Sequence, residues 1–495
     1  MIDLKKYEFW FVVGSQDLYG TDVLKTVDEH SKKMVAALDP KLPCKLVWKT
    51  VVLGPEAILK LIREANSDPN CAGIVTWMHT FSPSKMWIAG LSELNKPMAH
   101  LHTQFNRDIP LDSIDMDFMN LNQSAHGDRE HGFIGARLRI PRKVVVGYWE
   151  DPAVVERLSG WMRAAAAFSD GKTLKVARFG DNMREVAVTE GDKVEAQIKL
   201  GWQVNGYGVG DLVEVIKTIK DADIDALVKV YEKEYEVAPE AKSGKGLERV
   251  REQARMELGM RKFLEAGGFG AYTDTFQDLH GLPQLPGLAS QRLMAEGYGF
   301  GAEGDWKTAC IVRAMKVMAT GLKGGVSFLE DYTYNLDPAN TAALSAHMLE
   351  VCPSIAKDKP RLEVHPLGIG DKDDPARLVF SGAPGPAINA TLVDMGGRMR
   401  MIVNELDTIE AKPMPRLPVA RVMLKPRPDF ARAAECWIIA GGAHHAGYSR
   451  AVKTEWMRDW AEMAGIEFLL IGARTEPEDL RKEIRWNEVA YRLGL

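Results

Sequence analysis

Short apolar runs alternate with longer amphipathic stretches over residues 1–173 of the chain. The apolar runs predict strands at residues 9–13, 46–53, 73–77, 98–101 and 144–148. Helical periodicity occurs at residues 23–38, 55–67 and 152–168. Because the strands are almost continuously apolar and helices separate them, they favour a parallel sheet covered by helices on both faces.

Polar residues directly after these strands are candidate site residues, because ligands approach parallel sheets at the carboxyl ends of the strands. Gln16, His79 and Thr103 have this position. Each of them could equally well do no more than end its strand.

The alternation of strands and helices continues over residues 174–323. A strand is predicted at residues 174–179, and helices are predicted at residues 212–234 and 246–266. This stretch therefore indicates a second, central α/β domain.

From residue 324 the pattern changes to short strand-like runs at residues 376–380, 390–394, 399–403 and 419–423. Turn residues separate the runs: Gly382, Pro384, Gly385, Pro386, Gly396 and Gly397. A helix, a strand and a helix follow at about residues 453–494. We expect an α/β protein with two parallel-sheet α/β domains, followed at 324–495 by a β-rich, antiparallel barrel-like C-terminal domain.

Composition and charge argue against nucleic acid or a membrane as partners of this chain. The formal net charge of −5 comes without a block of basic residues, so nucleic acid is not expected as a partner. No apolar stretch reaches the length of a membrane span, and the N-terminus does not resemble a signal peptide. Five cysteines, odd in number and without a CxxC pair, favour reduced thiols in a cytoplasmic protein.

Four residues of the second half are the candidates for chemistry: Glu303, Glu330, His347 and His445. Two carboxylates and two imidazoles suit a divalent transition metal such as Mn²⁺. Their spacing matches no local metal motif, and each has an ordinary alternative. Glu330 could be the solvated end of a strand, and His347 lies in a stretch, 340–350, that we expect to be a helix, where a lone histidine usually packs.

Glu303 belongs to a glycine-dense stretch, Gly299-Phe-Gly-Ala-Glu-Gly304, which matches the pattern GxGxxG. A dinucleotide-binding fold requires this motif directly after a strand, whereas here it follows a predicted helix, so we reject that interpretation. We expect a loop that presents Glu303. Asp305 is expected either to cap the next helix or to support the site.

Longer motifs resemble the L-arabinose isomerase family, in its order and at its spacing. They are Gly14-Ser-Gln-Asp-Leu-Tyr-Gly20, His79-Thr-Phe-Ser-Pro-Ser84, His102-Thr-Gln-Phe-Asn106, Asn122-Gln-Ser-Ala-His-Gly127, Thr275-Phe-Gln-Asp-Leu-His280, Glu303-Gly-Asp-Trp-Lys307, Phe328-Leu-Glu-Asp-Tyr332, Leu367-Gly-Ile-Gly370 and Gly441-Gly-Ala-His-His445. The resemblance covers essentially the whole chain and implies conversion of L-arabinose to L-ribulose in arabinose catabolism. It also implies activity on D-galactose, giving D-tagatose.

The resemblance assigns roles to individual residues. Glu303, Glu330, His347 and His445 would bind one Mn²⁺ per subunit, and Glu303 and Glu330 would also move protons through a cis-enediol. The substrate-binding positions are Gln16, Gln123, His126, Met183, Phe276 and His444. The family forms homohexamers with active sites at subunit interfaces, where the loop of His126 would reach a neighbouring site.

Two alternatives remain open from the sequence. The chain could isomerise a related sugar such as L-fucose, or it could be a non-catalytic cytosolic sugar-binding protein with the same fold. A binding protein could lose Glu303 or Glu330 without penalty, whereas this sequence retains all four candidate ligands.

Overall fold

The computed structural model describes residues 2–367, 369 and 371–493. Gly368 and Gly370 of the Leu367-Gly-Ile-Gly370 motif therefore lie outside the described residues. The chain divides into two compact units. The first unit comprises Asp3–Ser169 with Arg458–Met463, and the second comprises the remaining described residues.

The first unit is built on a five-stranded parallel sheet with the strand order β2-β1-β3-β4-β5. Its elements are β1 Glu8–Gly14, α1 Gly20–Leu38, β2 Lys45–Val52, α2 Pro55–Ser67, β3 Cys71–Met78, α3 Ile88–Glu93, β4 Met98–His102, α4 Met116–Leu121, α5 Ser124–Arg137, β5 Arg142–Val146 and α6 Pro152–Gly171. Every residue of the central strand β3 is buried, as expected for a sheet covered on both faces. The predicted parallel sheet is confirmed, although β5 begins and ends two residues earlier than expected.

The second unit begins with a four-stranded parallel sheet of order β10-β9-β6-β7. This part contains β6 Lys175–Phe179, α7 Lys193–Leu200, β7 Gln203–Tyr207, α8 Val209–Lys217, α9 Asp221–Glu234, β8 Glu236–Val237, α10 Gly244–Gly267, β9 Phe269–Asp274, α11 Gly287–Ala295, β10 Gly299–Gly301 and α12 Trp306–Ala319. The helical stretch expected at residues 212–234 is divided between two helices, because α8 ends at Lys217 and α9 begins at Asp221. At the end of α8 the hydroxyl of Thr218 donates to the carbonyl of Val215 at 2.6 Å, which competes with continued helix.

The rest of the chain contains a closed antiparallel barrel, a small sheet and α-helices. The elements are β11 Val326–Asn335, β12 Ala342–Ala346, β13 Arg361–Val364, β14 Ala376–Val379, β15 Gly385–Asp394, β16 Met399–Ile409, β17 Arg421–Pro426, α13 Phe430–Ala440, β18 His445–Ser449, α14 Thr454–Ala464, β19 Glu467–Ile471 and α15 Pro477–Arg492. In the small sheet β13 pairs with β14 and β8, and α14 contributes Arg458–Met463 to the first unit. Strands β15-β18-β11-β12-β17-β16 pair in this order, and β16 also pairs with β15, which closes the ring. Strand β19 adds to β16 in parallel, so the expected barrel-like domain is confirmed.

The helix expected at residues 340–350 is wrong. Residues Ala342–Ala346 form strand β12, which pairs with β11 on one side and β17 on the other. Alanine and leucine favour helix, but backbone pairing on both sides overrides this weak local preference. His347 therefore directly follows a barrel strand.

The glycine-dense stretch is also only partly a loop, because Gly299–Gly301 form strand β10. Helix α12 follows, and the Asp305 carboxylate caps it by accepting from the backbone N–H of Thr308 at 3.1 Å. All five cysteines are free and buried, as expected. Within the described ranges, no helix has both the length and the apolar character needed to span a membrane.

Candidate metal centre and active site

The four candidate ligands come from one loop and three neighbouring barrel strands of the second unit. Glu303 lies between β10 and α12, Glu330 lies within β11, His347 follows β12 and His445 begins β18. In the strand register Glu330 is opposite His445 on one side and opposite Ala346, the residue before His347, on the other. Strand pairing therefore gathers three of the four side chains.

The ligand atoms lie at separations suited to a shared cation. His445 Nε2 is 3.8 Å from Glu303 Oε2, and His347 Nε2 is 3.8 Å from Glu330 Oε2. Two groups have donor atoms within 4.8 Å of one another: Glu303 with His444 and His445, and Glu330 with His347 and His445. Ligands about 2.0–2.2 Å from a common ion lie roughly 3–4.4 Å apart, which matches these distances.

The ring of His445 gives a direct test of whether the site fits a metal. Its Nδ1 lies 3.1 Å from Asp305 Oδ2, whereas its buried Nε2 has no hydrogen-bond partner among the described residues. If Nδ1–H donates to Asp305, Nε2 presents a lone pair towards the Glu303 carboxylate. A lone pair that faces a carboxylate oxygen with no hydrogen between them is repelled by it. A buried polar atom without a hydrogen-bond partner lowers the stability of the fold by about 1–3 kcal/mol. A cation bound between Nε2 and the carboxylate removes this cost, so the residues fit a divalent metal.

His347 is oriented in the same way by a carboxylate. Its Nδ1 lies 2.6 Å from Glu350 Oε2, which also accepts from the backbone N–H of Leu349 at 3.1 Å. The other ring nitrogen consequently faces Glu330, as in metal sites where a carboxylate fixes the histidine tautomer. The ring of Phe328 packs edge-on against both His347 and His445, with centroids 4.9 Å apart in each case.

Electrostatics at the site favour the ionised carboxylates of Glu303 and Asp305 and raise the pKa of His347. Burial opposes the ionisation of Glu303, but the hydrogen bond with His444 at 3.4 Å and the nearby histidines outweigh it and lower its pKa. Burial lowers the pKa of His347, but the adjacent Glu350 and the two glutamates outweigh this effect and raise it. Burial likewise opposes ionisation of Asp305, yet Lys307 and His445 lower its pKa to about 2.

The backbone holds Glu303 in a conformation that is rare for a residue with a side chain. Its φ is 62°, in the left-handed region. Its carbonyl accepts from the N–H of Met183 at 2.9 Å, and the next N–H, of Gly304, donates to the carbonyl of Asp274 at 2.9 Å. Such strain persists where surrounding contacts enforce it, which is common at functional sites.

A cavity of about 230 Å³ lies beside these residues in the second unit. Glu303, His347, Met183 and Phe276 all line it, so the structure brings two predicted substrate-binding residues together with two candidate ligands. His444, also predicted to bind substrate, lies 3.4 Å from Glu303. The wall also includes Asp274, which sequence reasoning missed although it ends a predictable β strand.

Gln16, Gln123 and His126 lie in the first unit, near the carboxyl end of its sheet. Gln16 follows β1 and is half-buried, and Gln123 accepts from the hydroxyl of Tyr19 at 3.2 Å. His126 is exposed, and its ring stacks on Phe81 with centroids 4.9 Å apart. The exposed imidazole has the accessibility that a contact with another molecule requires.

Two further contacts of the site were missed or left undecided. The ring contacts of Phe328 were not foreseen, although its position two residues before Glu330 places both on one face of β11. For Asp305, helix capping and site support were alternatives, and it does both.

Comparison with known proteins finds similarity over nearly the whole chain. Family models of the L-arabinose isomerase N-terminal, central and C-terminal domains match residues 3–173, 175–321 and 325–467. An L-arabinose isomerase from Geobacillus stearothermophilus is 61% identical, over 99% of this chain and 100% of that protein. Similar enzymes of the same name come from Anoxybacillus flavithermus, at 61% over 99% of each chain, and Thermotoga petrophila, at 58% over 100% of this chain and 99% of its own.

Proposed function

The chain belongs to the L-arabinose isomerase family and is an isomerase that converts L-arabinose to L-ribulose; from this premise we propose that it works with one bound Mn²⁺ per subunit. Glu303, Glu330, His347 and His445 are the proposed ligands. The observation that carries the proposal is the buried Nε2 of His445, which has no hydrogen-bond partner in the described part of the chain and lies 3.8 Å from the Glu303 carboxylate. Mixed oxygen and nitrogen ligands suit Mn²⁺.

The reaction requires a difficult proton transfer. An aldose becomes a ketose when a proton moves from C2 to C1 and the protons on O1 and O2 are rearranged. A carbon next to a carbonyl is a weak acid, so the enzyme must stabilise the negative charge that develops on oxygen. A divalent cation bound by the four ligands supplies this stabilisation.

Two carboxylates perform the proton transfers in this proposal. One of Glu303 and Glu330 removes the C2 proton and returns it to C1 through a cis-enediol, and the other moves the hydroxyl proton. Positioned acid–base groups typically contribute ~10²–10⁴-fold to the rate. Asp305 and Glu350 act through His445 and His347, whose rings they orient.

The remaining assignments concern substrate and assembly. Met183, Phe276 and His444 are proposed to contact the sugar within one chain. Gln16 is proposed to contact the sugar as well, and Gln123 and His126 are proposed to contact it from a neighbouring subunit of a cytoplasmic homohexamer. D-galactose is proposed as a second substrate, converted to D-tagatose. We also propose that the chain has three domains, with boundaries at 173/174 and 323/324.

Metal removal tests the proposal. We expect exhaustive chelation, verified by elemental analysis, to abolish formation of L-ribulose, and Mn²⁺ to restore it better than Mg²⁺ or Ca²⁺. We also expect His445→Gln to contain far less than one Mn²⁺ per subunit. His365→Gln is the matched control, because His365 contacts Glu363 at 2.6 Å and belongs to neither ligand group. Full turnover without metal, or a full metal content in His445→Gln, would show that the proposed centre is wrong.

A further inference from the structure

Asp274 is a buried carboxylate in the wall of the cavity, at the end of β9. Only 6% of the residue is exposed. No hydrogen bond or ion pair reaches its side chain from any residue in the described part of the chain. Its backbone carbonyl, by contrast, accepts from the N–H of Gly304, which anchors the residue beside Glu303.

The other buried carboxylates of this region have donors. Asp305 accepts from the backbone N–H and the hydroxyl of Thr308, and Glu350 accepts from the N–H of Leu349. Burying a carboxylate without a donor is costly. The burial of Asp274, reinforced by the charge of Glu350 and partly offset by His347, raises its pKa to about 7. A donor that is part of a ligand would offset this cost.

The surroundings of Asp274 limit what that ligand is. Leu279, Leu285 and Pro286 line the same cavity and offer no side-chain donors. Asp274 is absent from both groups of candidate metal ligands, so its carboxylate does not lie among the atoms that would surround the ion. The free acceptor therefore faces space next to the centre, where a hydroxyl group can supply the missing donor.

We propose that Asp274 accepts a hydrogen bond from a sugar hydroxyl on a carbon that does not react, and so positions the substrate. The inference rests on the proposed function, because it requires a sugar bound in this cavity. It assigns Asp274 a role in specificity, since a site built to bind a hydroxyl rejects analogues that lack it.

Kinetics with deoxygenated sugars test the proposal. At pH 8.5, where Asp274 is mostly ionised, we expect Asp274→Ala to lower kcat/KM for L-arabinose by ~10–100-fold, the range for a hydrogen bond to a charged group. Asp274→Asn should lower it less, because its amide oxygen still accepts. The analogues 3-deoxy-, 4-deoxy- and 5-deoxy-L-arabinose each lack one hydroxyl on a carbon that does not react. The analogue that lacks the hydroxyl bound by Asp274 should be converted equally well by wild type and Asp274→Ala, because neither protein can form that hydrogen bond.

Stability measurements separate positioning from a merely structural role. The sugar-free, metal-loaded Asp274→Ala protein should keep its metal and melt no lower than wild type, because an unpaired buried carboxylate has been removed. Asp429→Ala is the control: it deletes the cap of α13, where Asp429 accepts from the N–H of Arg432 at 3.0 Å. It should lower the melting temperature and leave kcat/KM unchanged.

Three results would overturn the inference while leaving the proposed function intact, provided the wild type converts L-arabinose with metal. They are an unchanged kcat/KM in Asp274→Ala, equal losses on all deoxy sugars, or a lower melting temperature that accounts for the lost activity. Failure of the wild type itself would instead refute the proposed function.

Discussion

Glu330 on β11 lies directly opposite His445 on β18, two strands that are more than 100 residues apart in the chain. The same Glu330 is paired on its other side with Ala346, next to His347. A slip of one residue in either pairing would turn one side chain to the opposite face of the barrel. The metal centre therefore depends on barrel register as much as on the identity of its ligands.

The first prediction concerns the two glutamates as acid–base groups. Glu303→Gln and Glu330→Gln should each lower kcat by at least ~10²-fold, because the amide keeps the shape and removes the base. Turnover of L-arabinose and circular dichroism provide the measurements. Glu410→Gln, an exposed carboxyl that pairs with Lys357, should retain full activity. Near wild-type turnover in either active-site variant would refute its role.

The second prediction concerns the glycine-dense stretch before Glu303. A Cβ at Gly301 would lie 2.4 Å from the carbonyl oxygen of Asp305 and 2.9 Å from the backbone nitrogen of Ala309. Gly301→Ala should therefore displace the loop and lower both metal content and melting temperature, at a cost of about 1–3 kcal/mol. Gly210→Ala is the control, because a Cβ there meets no atom within 4 Å. An unaltered Gly301→Ala enzyme would contradict the tight packing.

The third prediction concerns pH and a histidine of the first unit. The Asp128 carboxylate lies 2.7 Å from His102 Nδ1 and 2.7 Å from His100 Nε2. The hydrogen bond with Asp128 raises the pKa of His102, against the opposing effects of burial and Arg129. A histidine with a raised pKa stabilises the fold below its unfolded-state value of about 6.5 and loses this contribution as pH rises through the folded-state value.

His102→Gln should accordingly lower the melting temperature relative to wild type at pH 5.5, and the difference should shrink towards pH 9. Differential scanning calorimetry at a series of pH values measures it. Gly210→Ala, which changes no titratable side chain and adds a Cβ that meets no atom within 4 Å, should show no such trend. A difference that is constant with pH would mean that the charged pair does not contribute.

The fourth prediction concerns assembly. If the His126 loop serves a neighbouring subunit, His126→Asn should lose activity and keep its metal. Co-expression with an excess of Glu303→Gln chains should then restore part of the turnover, because mixed interfaces pair an intact loop with an intact site. The absence of rescue in verified mixed oligomers would assign His126 to its own chain or to no site. A fully active monomer in sedimentation would refute the shared site.

Much of the fold was predictable because local pattern decides local structure. The helix predicted at residues 55–67 is α2, Pro55–Ser67, which begins with proline at its first position and buries one apolar face. The glycines at 396 and 397 separate the paired strands β15 and β16, as turn residues should. The error at residues 340–350 has the opposite cause, because the partners of β12 lie on distant strands that periodicity does not reveal.

The sequence by itself determined the residue types of the site and, through its motifs, the family. It could not determine that Asp305 reaches His445, 140 positions away, or that the Asp274 side chain faces the cavity with no donor among the residues that the structure describes. Residues 303, 330, 347 and 445 converge only when the barrel closes and the β10–α12 loop packs beside it. Only the tertiary structure decided these contacts, because strand register and long-range pairing depend on the packing of the whole chain and not on any local period.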